Sequence, residues 1–156
     1  LSCTHSHCDC AVHTASSGSI SDRTGSQDYD NDQECVWIIA PTAAINVTLT
    51  FTSLSTEAIF DFVYVDECDD PACDTSTELA KLDGIGHDGK NFTSTTGVLR
   101  IRLSTDFMVK RAGFDAVWTS VASRAITCTP CIAGSYKSTN GSAACMLCEG
   151  GKYSTG

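Results

Sequence analysis

Ten cysteines in 156 residues constrain this chain more than any other feature. In a reducing compartment they would be thiols or metal ligands; in an oxidising one they pair. Three sequons decide between the two: Asn46-Val47-Thr48, Asn91-Phe92-Thr93 and Asn140-Gly141-Ser142, none with proline in the middle. Three acceptor sites for N-linked glycans beside ten cysteines read as a secreted or cell-surface glycoprotein.

The bulk charge agrees with that setting. Nineteen acids against ten bases give a formal net charge of -9. Nucleic acid calls for a basic face to meet phosphates, so this balance argues against it and favours basic partners or divalent cations. No run of 18 apolar residues occurs, so no membrane-spanning helix is predicted. The sequence has neither a starting methionine nor a signal peptide, which for a secreted protein implies processing or a piece of a longer chain.

The hydrophobic period is that of strands. Ile45, Val47, Leu49 and Phe51 share one face, while Asn46, Thr48 and Thr50 share the other, so a glycan on Asn46 would point away from the core. Leu99, Ile101 and Leu103 alternate with Arg100 and Arg102, and Phe114, Ala116 and Trp118 with Asp115, Val117 and Thr119. The run CVWIIA (35–40) and the run from Phe60 to Val65 read as strands buried on both faces. No segment holds a helical period over ten residues. Short strands with Gly, Ser, Thr and Asp between them predict an all-β antiparallel sandwich.

The pattern changes near residue 121. After the connector SVASRAIT (120–127), Cys128, Cys131, Gly134 and Tyr136 are echoed by Cys145, Cys148, Gly151 and Tyr153 at a constant offset of 17. Units this small cannot bury a core, so disulfides and stacking must hold them. The bounds are therefore 1–9 for an N-terminal cysteine-containing segment, 10–121 for the main domain, 122–127 for a linker and 128–156 for repeats whose second copy is incomplete.

The first 120 residues resemble a CUB domain, a two-sheet jelly-roll sandwich of extracellular proteins. The resemblance is distributed over CAVHTASSGSISD (10–22), YDNDQECVWIIAP (29–41), LTFTSLSTEAIFDFVYV (49–65) and LRIRLSTDFMVKRAGFDAVW (99–118). The tail is similar to the C-x-x-C-x-x-G-x-Y repeats of ephrin-receptor-like and tumour-necrosis-factor-receptor-like modules. The fold expected is thus a CUB-type jelly roll followed by a small disulfide-stapled tail.

Many CUB domains hold calcium through a loop glutamate, the aspartate that begins a D-x-V strand and the aspartate of an S-D turn. Carried over by position, these are Glu57, Asp61 and Asp106. Taken alone the three would be solvated loop acids. Brought together they would repel one another, and a hard cation taking six to eight oxygens removes that repulsion. In the family this end often receives a basic side chain from a partner protein.

The resemblance also implies that Cys10 pairs with Cys35, closing 26 residues for about 3.5 kcal/mol. The family's second disulfide is replaced here by Cys68 and Cys73, whose six-residue loop would close locally for about 2 kcal/mol. Their spacing is not that of a C-x-x-C redox pair. Cys131 and Cys145 would close the complete tail repeat. Cys3 and Cys8 either close on each other or reach a preceding module, Cys148 needs a partner after Gly156, and Cys128 has no assigned partner. A zinc site from Cys3, His5, His7 and Cys8 is disfavoured by the tight histidine spacing and by oxidation.

DYDND (28–32) is not a calcium loop of the EF-hand kind, because Gln33 and Ile39 stand where glycine and glutamate are required. The acids Asp66, Glu67, Asp69, Asp70, Asp74 and Glu78 read as a solvated loop. No G-x-S-x-G or H-E-x-x-H occurs, and His13 and His87 fall in predicted turns, so no enzyme is expected. Two functions remain. The first is a structural or adhesive glycoprotein, a subunit of a surface filament, matrix or appendage that contacts copies of itself. The second is a calcium-dependent recognition module of a secreted protease or receptor.

Overall fold

The computed structural model describes residues 11–22, 28–123, 135–136 and 145–147. Backbone contacts divide the chain into two units, Leu1–Ser123 and Arg124–Gly156. Among the described residues there are eleven strands and no helix.

In the first unit the strands are β1 (Val12–His13), β2 (Ser17–Ser21), β3 (Glu34–Ile39), β4 (Ala44–Ser55), β5 (Phe62–Cys68), β6 (Ser76–Leu82), β7 (Asn91–Ser94), β8 (Leu99–Ser104) and β9 (Gly113–Ala122). They form a five-stranded sheet in the order β1-β3-β8-β5-β6 and a four-stranded sheet in the order β2-β9-β4-β7. Among the described strands, only the two-residue pairing of β1 with β3 is parallel. In the second unit, β10 (Ser135–Tyr136) pairs antiparallel with β11 (Met146–Leu147).

Alternation along each strand puts one face of each sheet into a shared core. Trp37, Ile39, Val63, Val65, Leu99, Ile101 and Leu103 come from one sheet, and Ile20, Val47, Leu49, Phe51, Phe114, Ala116 and Trp118 from the other. Across the middle, Trp37 and Phe51 both meet Phe114 edge-on, at centroid distances of 5.2 and 5.7 Å. This tilted geometry suits the ring quadrupoles.

The long pair β4–β9 carries two irregularities. The first, between Ala44 and Asn46, throws Ile45 outward, where it is 51% exposed. Ile45 therefore leaves the face expected for it with Val47, Leu49 and Phe51. The second, between Phe51 and Ser53, changes the phase so that Leu54 faces inward opposite Phe114.

Other expectations are corrected as well. Phe60 is exposed, and β5 alternates, with Phe62 and Tyr64 half-buried on the outer face under Lys81 and Arg102. His13 sits in β1 rather than a turn, with its ring 5.0 Å from that of Trp118. The acids after Val65 are not uniformly solvated. Asp66 is buried and paired with Arg100 at 2.9 Å, while Glu67 accepts hydrogen bonds from the Thr95 and Thr96 amides. Both residues are still on β5, where neighbouring strands supply their partners.

Cys68 and Cys73 are joined. They pack with Ile38, Ala40 and Val98 in a second apolar cluster, which explains why Ile38 is buried although it points away from the main core. Cys35 is also disulfide-bonded, and Cys10, its partner by resemblance, lies outside the described residues. The same holds of Cys145 and its expected partner Cys131. Cys3, Cys8, Cys128, Cys148 and Asn140 lie outside them too.

Candidate metal centre

Residues 28–33, before β3, meet the loops β4–β5, β6–β7 and β8–β9 at one end of the sandwich. Asp61, the residue before β5, is fully buried there. Its Oδ1 accepts the Asp106 amide at 2.7 Å, and its Oδ2 accepts the Tyr29 hydroxyl. The Tyr29 oxygen in turn accepts the Glu57 amide at 3.0 Å. The Asp61 amide reaches back to the Glu57 carbonyl at 3.1 Å, closing a turn that sets the two acids side by side. Asp106 is held by its own loop: Oδ1 accepts the Met108 amide at 2.8 Å, and its carbonyl accepts the Asp32 amide at 2.7 Å.

Glu57, Asp61 and Asp106 each bring one carboxylate oxygen within 4.8 Å of the other two. The electrostatics show the strain of that approach. The Glu57 carboxyl is pushed above its ordinary range, first by desolvation, then by Asp106 and Asp61, with Arg111 partly offsetting them. Burial and the bond to Asp61 raise the Tyr29 hydroxyl far above the usual tyrosine range. Tyr29 therefore stays protonated and serves as a fixed donor that orients Asp61.

The donor set fits a hard cation. All three groups are carboxylates, the ligands that suit calcium rather than softer metals. Calcium–oxygen bonds of about 2.4 Å allow ligand pairs up to about 4.8 Å apart. Among the described residues, Glu57 Oε2 is buried and meets no hydrogen-bond partner, and the same is true of Asn31 Oδ1 at this end. An unpaired buried oxygen costs stability unless something supplies positive charge or a proton.

The three acids chosen from the sequence are therefore neighbours in space. Tyr29 and Asn31 had entered only as parts of a pattern, yet Tyr29 links Glu57 to Asp61 and the Asn31 amide nitrogen donates to the Phe107 carbonyl at 2.8 Å. The signal available for both was a tyrosine and an asparagine beside a strand, in a stretch whose acids could not form an EF-hand. Lys110 pairs with Asp30 at the same end. His87 contacts the Asp83 carbonyl and Lys90, each at 2.9 Å. The sequon residues stand elsewhere: Asn46 on β4 and Asn91 on β7, with the hydroxyls of Thr48 and Thr93 bonded across the strands at 2.9 Å.

The family model for the CUB domain matches residues 8–118. This chain belongs to the CUB domain family. Curated relatives include the adhesion G-protein coupled receptor G6 of Danio rerio, 31% identical over 111 residues that make up 71% of this chain and 9% of the receptor. The zinc metalloproteinase nas-39 of Caenorhabditis elegans is 31% identical over 107 residues, 65% of this chain and 10% of the enzyme. The chain thus spans about a tenth of the length of the curated relatives it matches. Among solved structures, the full extracellular region of zebrafish Gpr126/Adgrg6 superposes with a TM-score of 0.64 at 29% identity, covering 76% of this chain and 15% of that one. The MASP-1 CUB2 domain bound to Ca2+ gives 0.59 at 16% identity, over 69% of this chain and 96% of that one. A CUB domain is a non-catalytic module, although one of these relatives is a protease. Among the described residues no helix is long and apolar enough to cross a membrane.

Proposed function

We propose that this CUB domain is a calcium-dependent recognition module of an extracellular protein, with Glu57, Asp61 and Asp106 holding the ion. The convergence of the three carboxylates, with a buried Glu57 oxygen that meets no partner among the described residues, carries the reading. The calcium-bound MASP-1 CUB2 domain is consistent with it. Calcium would offset most of the cluster's negative charge and lock the β4–β5 and β8–β9 loops together, presenting their tips and remaining carboxylate lone pairs to a basic side chain of another extracellular protein. The receptor and protease relatives favour this reading over a filament subunit. The filament reading rests on the tail repeats, which fall beyond the family match and almost wholly outside the described residues. In this reading the protein is a glycoprotein with N-linked glycans at Asn46, Asn91 and Asn140.

Thermal unfolding in calcium and in EDTA tests the assignment. Calcium at about one hundred times its dissociation constant should add about 2.7 kcal/mol to the wild type. Asp106→Ala should abolish the difference between the two buffers. A variant that keeps the full EDTA effect would refute the ligand set.

A further inference from the structure

The outer face of the four-stranded sheet exposes two valines of one strand. Val117 and Val121 of β9 are 42% and 55% exposed, on the side opposite the buried Ala116 and Trp118. A single exposed valine needs no explanation, but the register gives these two the same kind of neighbour. Val121 lies directly opposite Asn46 of β4. Val117 lies opposite Thr50, and Thr50 lies opposite Asn91 of β7. Each valine therefore shares a row across the sheet with a sequon asparagine.

The asparagines stand on the same face as the valines. The hydroxyls of Thr48 and Thr93 meet at 2.9 Å on that face, and each threonine is two residues from its asparagine, so alternation puts all four on one side. Side chains directly opposite each other are about 5 Å apart, so Val121 is within reach of the first sugar on Asn46. The row from Asn91 to Val117 crosses two strand spacings, about 10 Å, within reach of the second sugar on Asn91. Between and beside the valines lie the hydroxyls of Thr48, Thr50, Thr93 and Thr119. A sugar ring has an apolar face of C–H groups and a rim of hydroxyls, and a surface of methyls among hydroxyls matches both.

We propose that the N-linked glycans of Asn46 and Asn91 fold back over this face, the first onto Val121 and the second onto Val117. The inference rests on the glycoprotein reading above and adds where the sugars lie. The register favours the chain's own sugars over a second copy, because both rows carry an attachment point and a protein seated on the valines would collide with the glycans beside them. Neither valine belongs to the core, so the cover changes what the surface meets rather than how tightly the fold holds.

Protein secreted by a glycosylating cell and labelled at its valine methyls provides the test, with a soluble gadolinium chelate that speeds the relaxation of any methyl it can approach. Asn46→Gln should speed that of Val121 about twofold and leave Val117 unchanged, because a sugar ring in contact keeps solvent from one side of a methyl. Asn91→Gln should do the reverse. Enzymatic removal of both glycans from the folded wild type should expose both valines, which reads the same contacts without a glutamine in the sheet. Equal relaxation of the valines with and without sugar, while intact mass shows both glycans attached to the wild type, overturns the proposal and leaves the glycoprotein reading standing. An intact mass with no glycan at these asparagines fails that reading, and the cover falls with it. Valines that stay protected in the double variant, in a protein that sediments as a dimer, assign the face to a second copy and overturn the proposal too.

Discussion

At Gly113 the backbone takes φ +76°, and a Cβ placed there would lie 1.9 Å from Asp22 Oδ2. That carboxylate is buried and accepts the Phe114 amide, so it cannot withdraw without stranding a donor. Gly113→Ala should therefore cost about 3 kcal/mol in denaturant unfolding, from left-handed strain plus the displaced carboxylate. Glu57 gives a prediction of the opposite sign. Its pKa is raised in the folded state, so the native protein binds more protons than the unfolded chain as the pH falls through that raised value. The metal-free protein should gain stability over that window, while calcium, which must displace the proton, should stabilise progressively less. Glu57→Gln should accordingly raise the melting temperature in EDTA at neutral pH and remove most of the calcium shift. A melt in EDTA below that of the wild type would contradict the repulsion inferred here.

At the scale of elements, the strand period located β4, β8 and β9 well, because each buries one face and exposes the other. It failed where a bulge changed the phase or where an outer face was covered. Ile45 turned outward at the first irregularity of β4, and Ile38 was buried on the outer face by the Cys68–Cys73 loop. No periodicity encodes either event, since both depend on what the partner strand or loop does. Phe114 is where the two sheets meet, touching Trp37 and Phe51 edge-on. Phe114→Ala should cost about 4 kcal/mol, measured by chemical unfolding, as for other buried aromatics. The outer face of the other pair, β4 and β7, carries Asn46 and Asn91 on adjacent strands. With glycans on both, Asn46→Gln and Asn91→Gln should each reduce the intact mass of the secreted protein by one glycan. Each should change its stability by no more than about 0.5 kcal/mol.

At the scale of the whole molecule, the jelly roll gathers residues 29, 57, 61 and 106 at one end although 77 positions separate the first from the last. Its stability comes from one core shared by two sheets, supplemented by disulfides at Cys35 and at Cys68–Cys73. Calcium at that end would tie the β4–β5 and β8–β9 loops together, so its removal should loosen the loop tips before the sheets. Hydrogen exchange in EDTA is expected to speed up the amides of residues 56–61 and 105–112, leaving those of β4 and β9 protected. Uniform acceleration across β4 and β9 would place the ion's effect elsewhere.

From the sequence alone came the compartment, the class and the rhythm of the strands. Cysteine density, sequons and alternation are local or compositional properties, legible without a fold. Glu57, Asp61 and Asp106 were legible only through resemblance, since nothing in their spacing distinguishes them from solvated loop acids. Tertiary structure decided what they meet. It placed the Tyr29 hydroxyl against Asp61, left a buried Glu57 oxygen without a partner among the described residues and paired Asp66 with Arg100. Contacts between residues far apart in the chain, and the desolvation that gives them their energy, exist only once the two sheets have closed on each other.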